Sequence, residues 1–151
     1  MLEKQGEKTR KNAVRIVLGA LILLLLVSLA ARFLSGWAKN ADSPDDRMNF
    51  LSALGWEVDP ESEESREVII PSCEEGAMVD YNELMKRGGY DLKPFEGKKV
   101  QQYSYVITNY PGYTQTVYVT LYTDRGRVIG GDIHSAALNG FMHELRAREP
   151  A

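Results

Sequence analysis

The sequence predicts an α+β fold: an N-terminal transmembrane helix, then a small domain with an antiparallel sheet and helices on one face. Three observations predict it. No charge interrupts Ile16–Ala31. Two later stretches carry apolar residues at helical spacing between helix-start and helix-stop residues. Three further runs alternate with period two and are separated by Gly-containing turns. The expected sheet is a three-strand meander plus one or two short strands.

The apolar run reads IVLGALILLLLVSLAA. A spanning helix needs roughly 20 apolar residues. Arg15 and Arg32 extend this one, because their stems run along the helix while their charges reach the headgroups. They stand about 25 Å apart along a helix axis. Phe33, Leu34 and Trp37 continue the apolar surface, and Trp37 suits the interface belt. A buried helix of a soluble protein is the alternative; the absence of any polar face over Leu21–Val27 sets the span against it.

Orientation follows from the flanking cations. Lys4, Lys8, Arg10, Lys11 and Arg15 precede the run, whereas the other side turns acidic after Arg32 and Lys39. The positive-inside rule then places residues 1–12 in the cytoplasm as a basic tail, 13–34 in the lipid bilayer as a signal anchor, 35–43 as a linker and 44–147 outside. A cleaved signal peptide competes, with small residues at Ser28-Leu29-Ala30. The apolar core is longer than such peptides use, and Arg32 follows directly.

Beyond the span, one domain's worth of chain remains. Residues 33–151 hold 19 of the 21 Asp and Glu but 12 of the 18 Lys and Arg, a net charge of −7. Such a surface opposes nucleic acid, whose binding depends on phosphate neutralisation. It also opposes lying on anionic lipid. Cys73 is the single cysteine, so the chain forms no internal disulfide.

Ser43-Pro44-Asp45-Asp46 starts the first helix of the domain, with Ser as cap and acids in the first turn. Met48, Phe50, Leu51 and Leu54 give the spacing and Gly55 the stop, so the helix covers about 44–54. Trp56 and Val58 alternate with Glu57 and Asp59 as a short strand ending at Pro60. Glu61–Ser65 is an acidic loop, and Glu67–Ile70 a second short strand ending at Pro71. Met78, Tyr81, Leu84 and Met85 share a helical face within Glu74–Arg87, which Gly88-Gly89 closes. Lys99–Thr108 is β-rich. Tyr110-Pro111-Gly112-Tyr113 fits a type II turn. In Gln115–Thr123, Val117, Val119 and Leu121 face one way, and Tyr118, Thr120 and Tyr122 the other. Asp124-Arg125-Gly126 suits a tight hairpin into Arg127–Ile133. Phe141, Met142 and Leu145 predict a short terminal helix after Asn139-Gly140.

The candidate ligand or partner face is Tyr103, Tyr105, Tyr118 and Tyr122, because tyrosine gives contact area at small entropic cost. Ordinary cross-strand pairing explains the same residues. His134 and His143, with Asp132 and Glu144 near, lack metal-site spacing. Ser135 has no nucleophile elbow, and no glycine-rich phosphate cradle occurs. No catalytic, cofactor or metal residue is therefore assigned.

The segments FLSALGWEVDP (50–60), YNELMKRGGYDLKPFEGKKV (81–100), Tyr110-Pro111-Gly112 and GRVIGGDIHSAALNGFMHEL (126–145) together resemble a domain-of-unknown-function family. It occurs in small membrane-anchored proteins of Gram-positive, Clostridia-like bacteria. The resemblance covers roughly Asp46–Leu145 and implies a bacterial envelope setting, with no activity or site residues attached. The expected function is a non-enzymatic binding module for an envelope protein or cell-wall ligand. The alternatives are an envelope hydrolase or metal-dependent enzyme using His134, Asp132 or His143, and an assembly subunit.

Overall fold

The computed structural model describes residues 17–28 and 40–146. Residues 17–28 form helix α1, whose leucines are exposed. Ser28 Oγ donates to the Leu25 carbonyl at 2.8 Å, so the one hydroxyl is satisfied within the helix. Among the described residues no helix is long and apolar enough to cross a membrane. The remaining positions of the expected span, 13–16 and 29–34, lie outside the described residues, as do the 1–12 tail and residues 35–39 of the linker.

Residues 40–146 build an α+β domain. Helix α2 spans Pro44–Ala53. Ser43 Oγ accepts the Asp46 N–H at 3.1 Å, and the Asp46 carboxylate accepts the Ser43 N–H at 3.2 Å, a reciprocal capping box. Helix α3 spans Ala77–Arg87 and starts after Gly76, whose φ of 59° stops extension toward Glu74. The strands are β1 (Glu64–Ile69), β2 (Lys99–Ile107), β3 (Val117–Asp124), β4 (Arg127–Ser135) and β5 (Met142–Glu144). They form one antiparallel sheet in chain order.

The β3–β4 hairpin turns on Arg125 and Gly126, both at positive φ (50° and 72°), the geometry that matches strand twist. A bulge follows: Tyr122 pairs with Gly130, but Thr123 pairs with Val128. At Gly131 a Cβ would lie 2.3 Å from the Thr120 carbonyl oxygen, so the close approach of β3 and β4 there admits only glycine.

Three expectations are corrected. The terminal helix expected over Phe141–Leu145 is strand β5. Its pairing satisfies the otherwise open edge of β4, and so short a segment holds no stable helix by itself. The strand expected at Trp56–Val58 contributes a single bridge, Val58 to Ile107, because Pro60 starts a 3-10 turn over Pro60–Ser62 and ends the ladder. The helices do not share one face of the sheet. Phe50 and Leu51 of α2 pack on the face carrying Tyr105, Val119, Leu121 and Ile133. Leu84 and Met85 of α3 pack on the other face with Val100 and Ile129. The sheet permits this because β2–β4 carry side chains suited to burial at both parities; β3 buries Thr120 as well as Leu121.

Candidate functional site

Alternation along the strands sends Gln102, Thr120, Tyr122, Asp132 and His134 to the α3 face. Helical spacing sends Tyr81 down onto them. A hydrogen-bond chain results. Arg66 Nε donates to Gln102 Oε1, and Gln102 Nε2 donates to Tyr122 Oη at 3.1 Å. The Tyr81 and Tyr122 hydroxyls lie 3.3 Å apart, and Tyr81 donates to Asp132 Oδ2. Asp132 Oδ1 accepts from His134 Nδ1 at 2.7 Å.

Asp132 is 2% exposed, while the His134 side chain is 31% exposed. A carboxylate only accepts, so Nδ1 carries the proton and Nε2 is the basic nitrogen. The hydrogen bond to Asp132 holds the imidazole above its ordinary value, against the opposing effect of burial. Burial, then the Asp132 charge, pushes the Tyr81 phenol far above its usual range, so Tyr81 stays a donor. Burial also raises Tyr122. Tyr118 stacks on His134 with centroids 5.7 Å apart and planes at 26°.

Beside this chain lies a hollow of about 490 Å³. Ala77, Met78, Asp80, Tyr81 and Leu84 of α3 form one wall; Tyr122 of β3 and Met142 of β5 form the other. Its lining is mostly apolar, and its two methionines adapt readily to irregular shapes.

The four candidate tyrosines do not converge. Tyr118 and Tyr122 share the α3 face, whereas Tyr103 and Tyr105 lie on the α2 face. Tyr105 is 0% exposed. It receives Arg47 Nε at 2.6 Å and donates to Glu63, and the Arg47 guanidinium sits 3.8 Å over the Tyr103 ring. Arg47 Nη2 also bridges both Glu63 oxygens, at 3.0 and 2.9 Å. These groups tie α2 to β2 and to the turn after Pro60.

His134 and His143 point to opposite faces. His143 Nδ1 donates to the Glu144 carbonyl at 2.7 Å, and Nε2 accepts from Tyr110 at 3.0 Å. Around it pack Trp56, Tyr110 and Phe141, so its two nitrogens serve the fold. Among the described residues no group of three His, Cys, Asp or Glu is placed to hold a metal ion.

Sequence reasoning missed Met78, Tyr81 and Met142. The spacing of Met78 and Tyr81 was a sufficient signal for a helix face, but not for a face only half covered.

No curated protein and no solved structure matches this chain. A family model described as a domain of unknown function matches residues 50–133, which include Asp80, Tyr81, Tyr122 and Asp132 and stop before His134 and Met142. With more than half its length so matched, the chain belongs to the DUF4830 family.

Proposed function

We propose that this chain is a single-pass membrane protein whose outer domain binds a small ligand, or an apolar side chain of an envelope partner, without chemistry on it. The observation that carries the binding reading is the apolar hollow between α3, Tyr122 and Met142. Its volume falls within the range of small-molecule sites, and its apolar lining with few polar groups is the usual composition of such sites. Of the four candidate tyrosines, Tyr122 serves this hollow directly.

The anchor is the 13–34 segment, the N-terminus is cytoplasmic and the setting is a bacterial envelope. The uncharged run from Ile16 to Ala31, the exposed leucines of α1 and the basic residues before it support this part. Protease added to spheroplasts is expected to remove the domain and spare the tail; full protection of the domain overturns the orientation.

Binding is tested on the full chain in a neutral maltoside detergent, with methyl-labelled methionine observed by NMR. Small apolar fragments are expected to move the Met78 and Met142 signals and to leave that of Met85, which is 1% exposed. A library with no fragment that does so overturns the hollow as a binding site.

A second reading rests on the Asp132–His134 pair. A histidine oriented by a buried carboxylate is the arrangement of a general base, and His134 Nε2 would take a proton from a water attacking an ester or amide. Among the described residues no serine or cysteine side chain is hydrogen-bonded to His134, so this reading needs water as nucleophile. Hydrolysis that disappears in His134→Gln with the fold intact would favour it over binding alone.

A further inference from the structure

We infer that the hollow takes a small organic ammonium ion with apolar substituents, free in solution; this rests on reading the hollow as the binding site. Three features of the lining carry the inference. Asp80 is the one charged residue among those lining it, and it is exposed in the first turn of α3. Tyr81 presents a phenol whose hydroxyl donates to the Asp132 carboxylate behind it. A phenol engaged in this way gains electron density in its ring, which strengthens attraction for a cation over the ring face. The Tyr122 ring stands at 82° to that of Tyr81, with centroids 6.3 Å apart, so the two aromatic groups meet as a corner.

The remaining lining, Ala77, Met78, Leu84 and Met142, is apolar, and methionine sulfur is polarizable. A cation with methyl or larger substituents satisfies both halves of this surface. Its substituents displace water from the apolar wall, and its charge meets Asp80 and the Tyr81 ring. An anion would be repelled by Asp80. A neutral apolar molecule would fill the hollow without matching that carboxylate. The hollow is also larger than a trimethylammonium group, leaving room for the body that carries it.

The test compares choline with 3,3-dimethylbutan-1-ol, which replaces the ammonium nitrogen by carbon at the same shape. The full chain in maltoside is titrated with each, and the Met78 and Met142 methyl signals are followed. Choline is expected to reach half-saturation at a concentration about fivefold or more below that of the alcohol. Asp80→Asn is expected to narrow the gap between the two midpoints without closing it, because the Tyr81 ring still attracts the cation. Because Asp80 is exposed, an unmoved Met85 methyl signal certifies the fold of that variant. Equal midpoints in the unaltered chain would overturn the cation preference while leaving an apolar pocket. Movement of neither methyl by either probe would overturn the hollow as a site. Saturation only by phosphatidylcholine bicelles, and not by choline, would overturn the free solute and assign the site to a lipid headgroup.

Discussion

The Tyr81 hydroxyl on α3 donates to the Asp132 carboxylate on β4, joining a helix to the sheet across 51 positions of chain. Asp132 is buried, and its other oxygen is held by His134. One carboxylate therefore links the α3 wall of the hollow to the half-exposed imidazole, and its loss would be felt by both.

Removing the donor leaves a buried carboxylate oxygen unsatisfied. Tyr81→Phe is therefore expected to cost about 1–3 kcal/mol. Urea unfolding followed by tryptophan fluorescence would show a lower midpoint at unchanged slope. A midpoint equal to that of the unaltered chain would mean that water replaces the hydroxyl.

His134 sets a pH dependence of definite sign. Its folded-state value is raised by Asp132, so protonation favours the folded state. That stability is fully present below the ordinary histidine value, about 6.5. It is lost as pH rises through the raised value. The excess stability of the unaltered chain over His134→Gln is thus expected to be larger at pH 5.5 than at pH 8.5. An excess that grows with pH would contradict the assignment.

Two adjacent glycines are expected to differ sharply. A Cβ at Gly131 meets the Thr120 carbonyl oxygen, which is backbone and cannot yield. A Cβ at Gly130 meets the ends of Leu92 and Met85, at 3.0 and 3.2 Å, which are side chains that adjust. Gly131→Ala is expected to cost about 3 kcal/mol, the upper end of overpacking, and Gly130→Ala about 1 kcal/mol. Thermal unfolding of the two variants orders them; the reverse order would refute the close β3–β4 approach.

Arg47 is 3% exposed and meets Glu63, Tyr105 and two backbone carbonyls. Arg47→Ala strips these acceptors of their donor and is expected to cost about 3–5 kcal/mol. Circular dichroism during denaturation measures it. A loss below about 1 kcal/mol would mean that the network is solvated rather than buried.

Much of the fold was legible because local chemistry decides it. The Ser43 cap, the stop at Gly55, the Arg125-Gly126 hairpin and the alternation of Val117–Thr123 follow from rules acting over a few residues. Phe141–Leu145 was misread because FMHEL satisfies both periods over so short a length, and only the open edge of β4 selects the strand. The candidate site was less legible. Tyr103 and Tyr105 offer the same side chain as Tyr118 and Tyr122, yet Arg47 and Glu63 engage the first pair.

By itself the sequence determined an apolar run near the N-terminus, an acidic α+β domain and the family to which it belongs. Charge, periodicity and turn residues are properties of neighbours along the chain, so they can be read without coordinates. Only the tertiary structure decided that the two helices cover opposite faces of the sheet, that Tyr81 reaches Asp132, and that Met78 and Met142 face one hollow. Those relationships join residues tens of positions apart, and they depend on which face of each strand the packing of α2 and α3 leaves open.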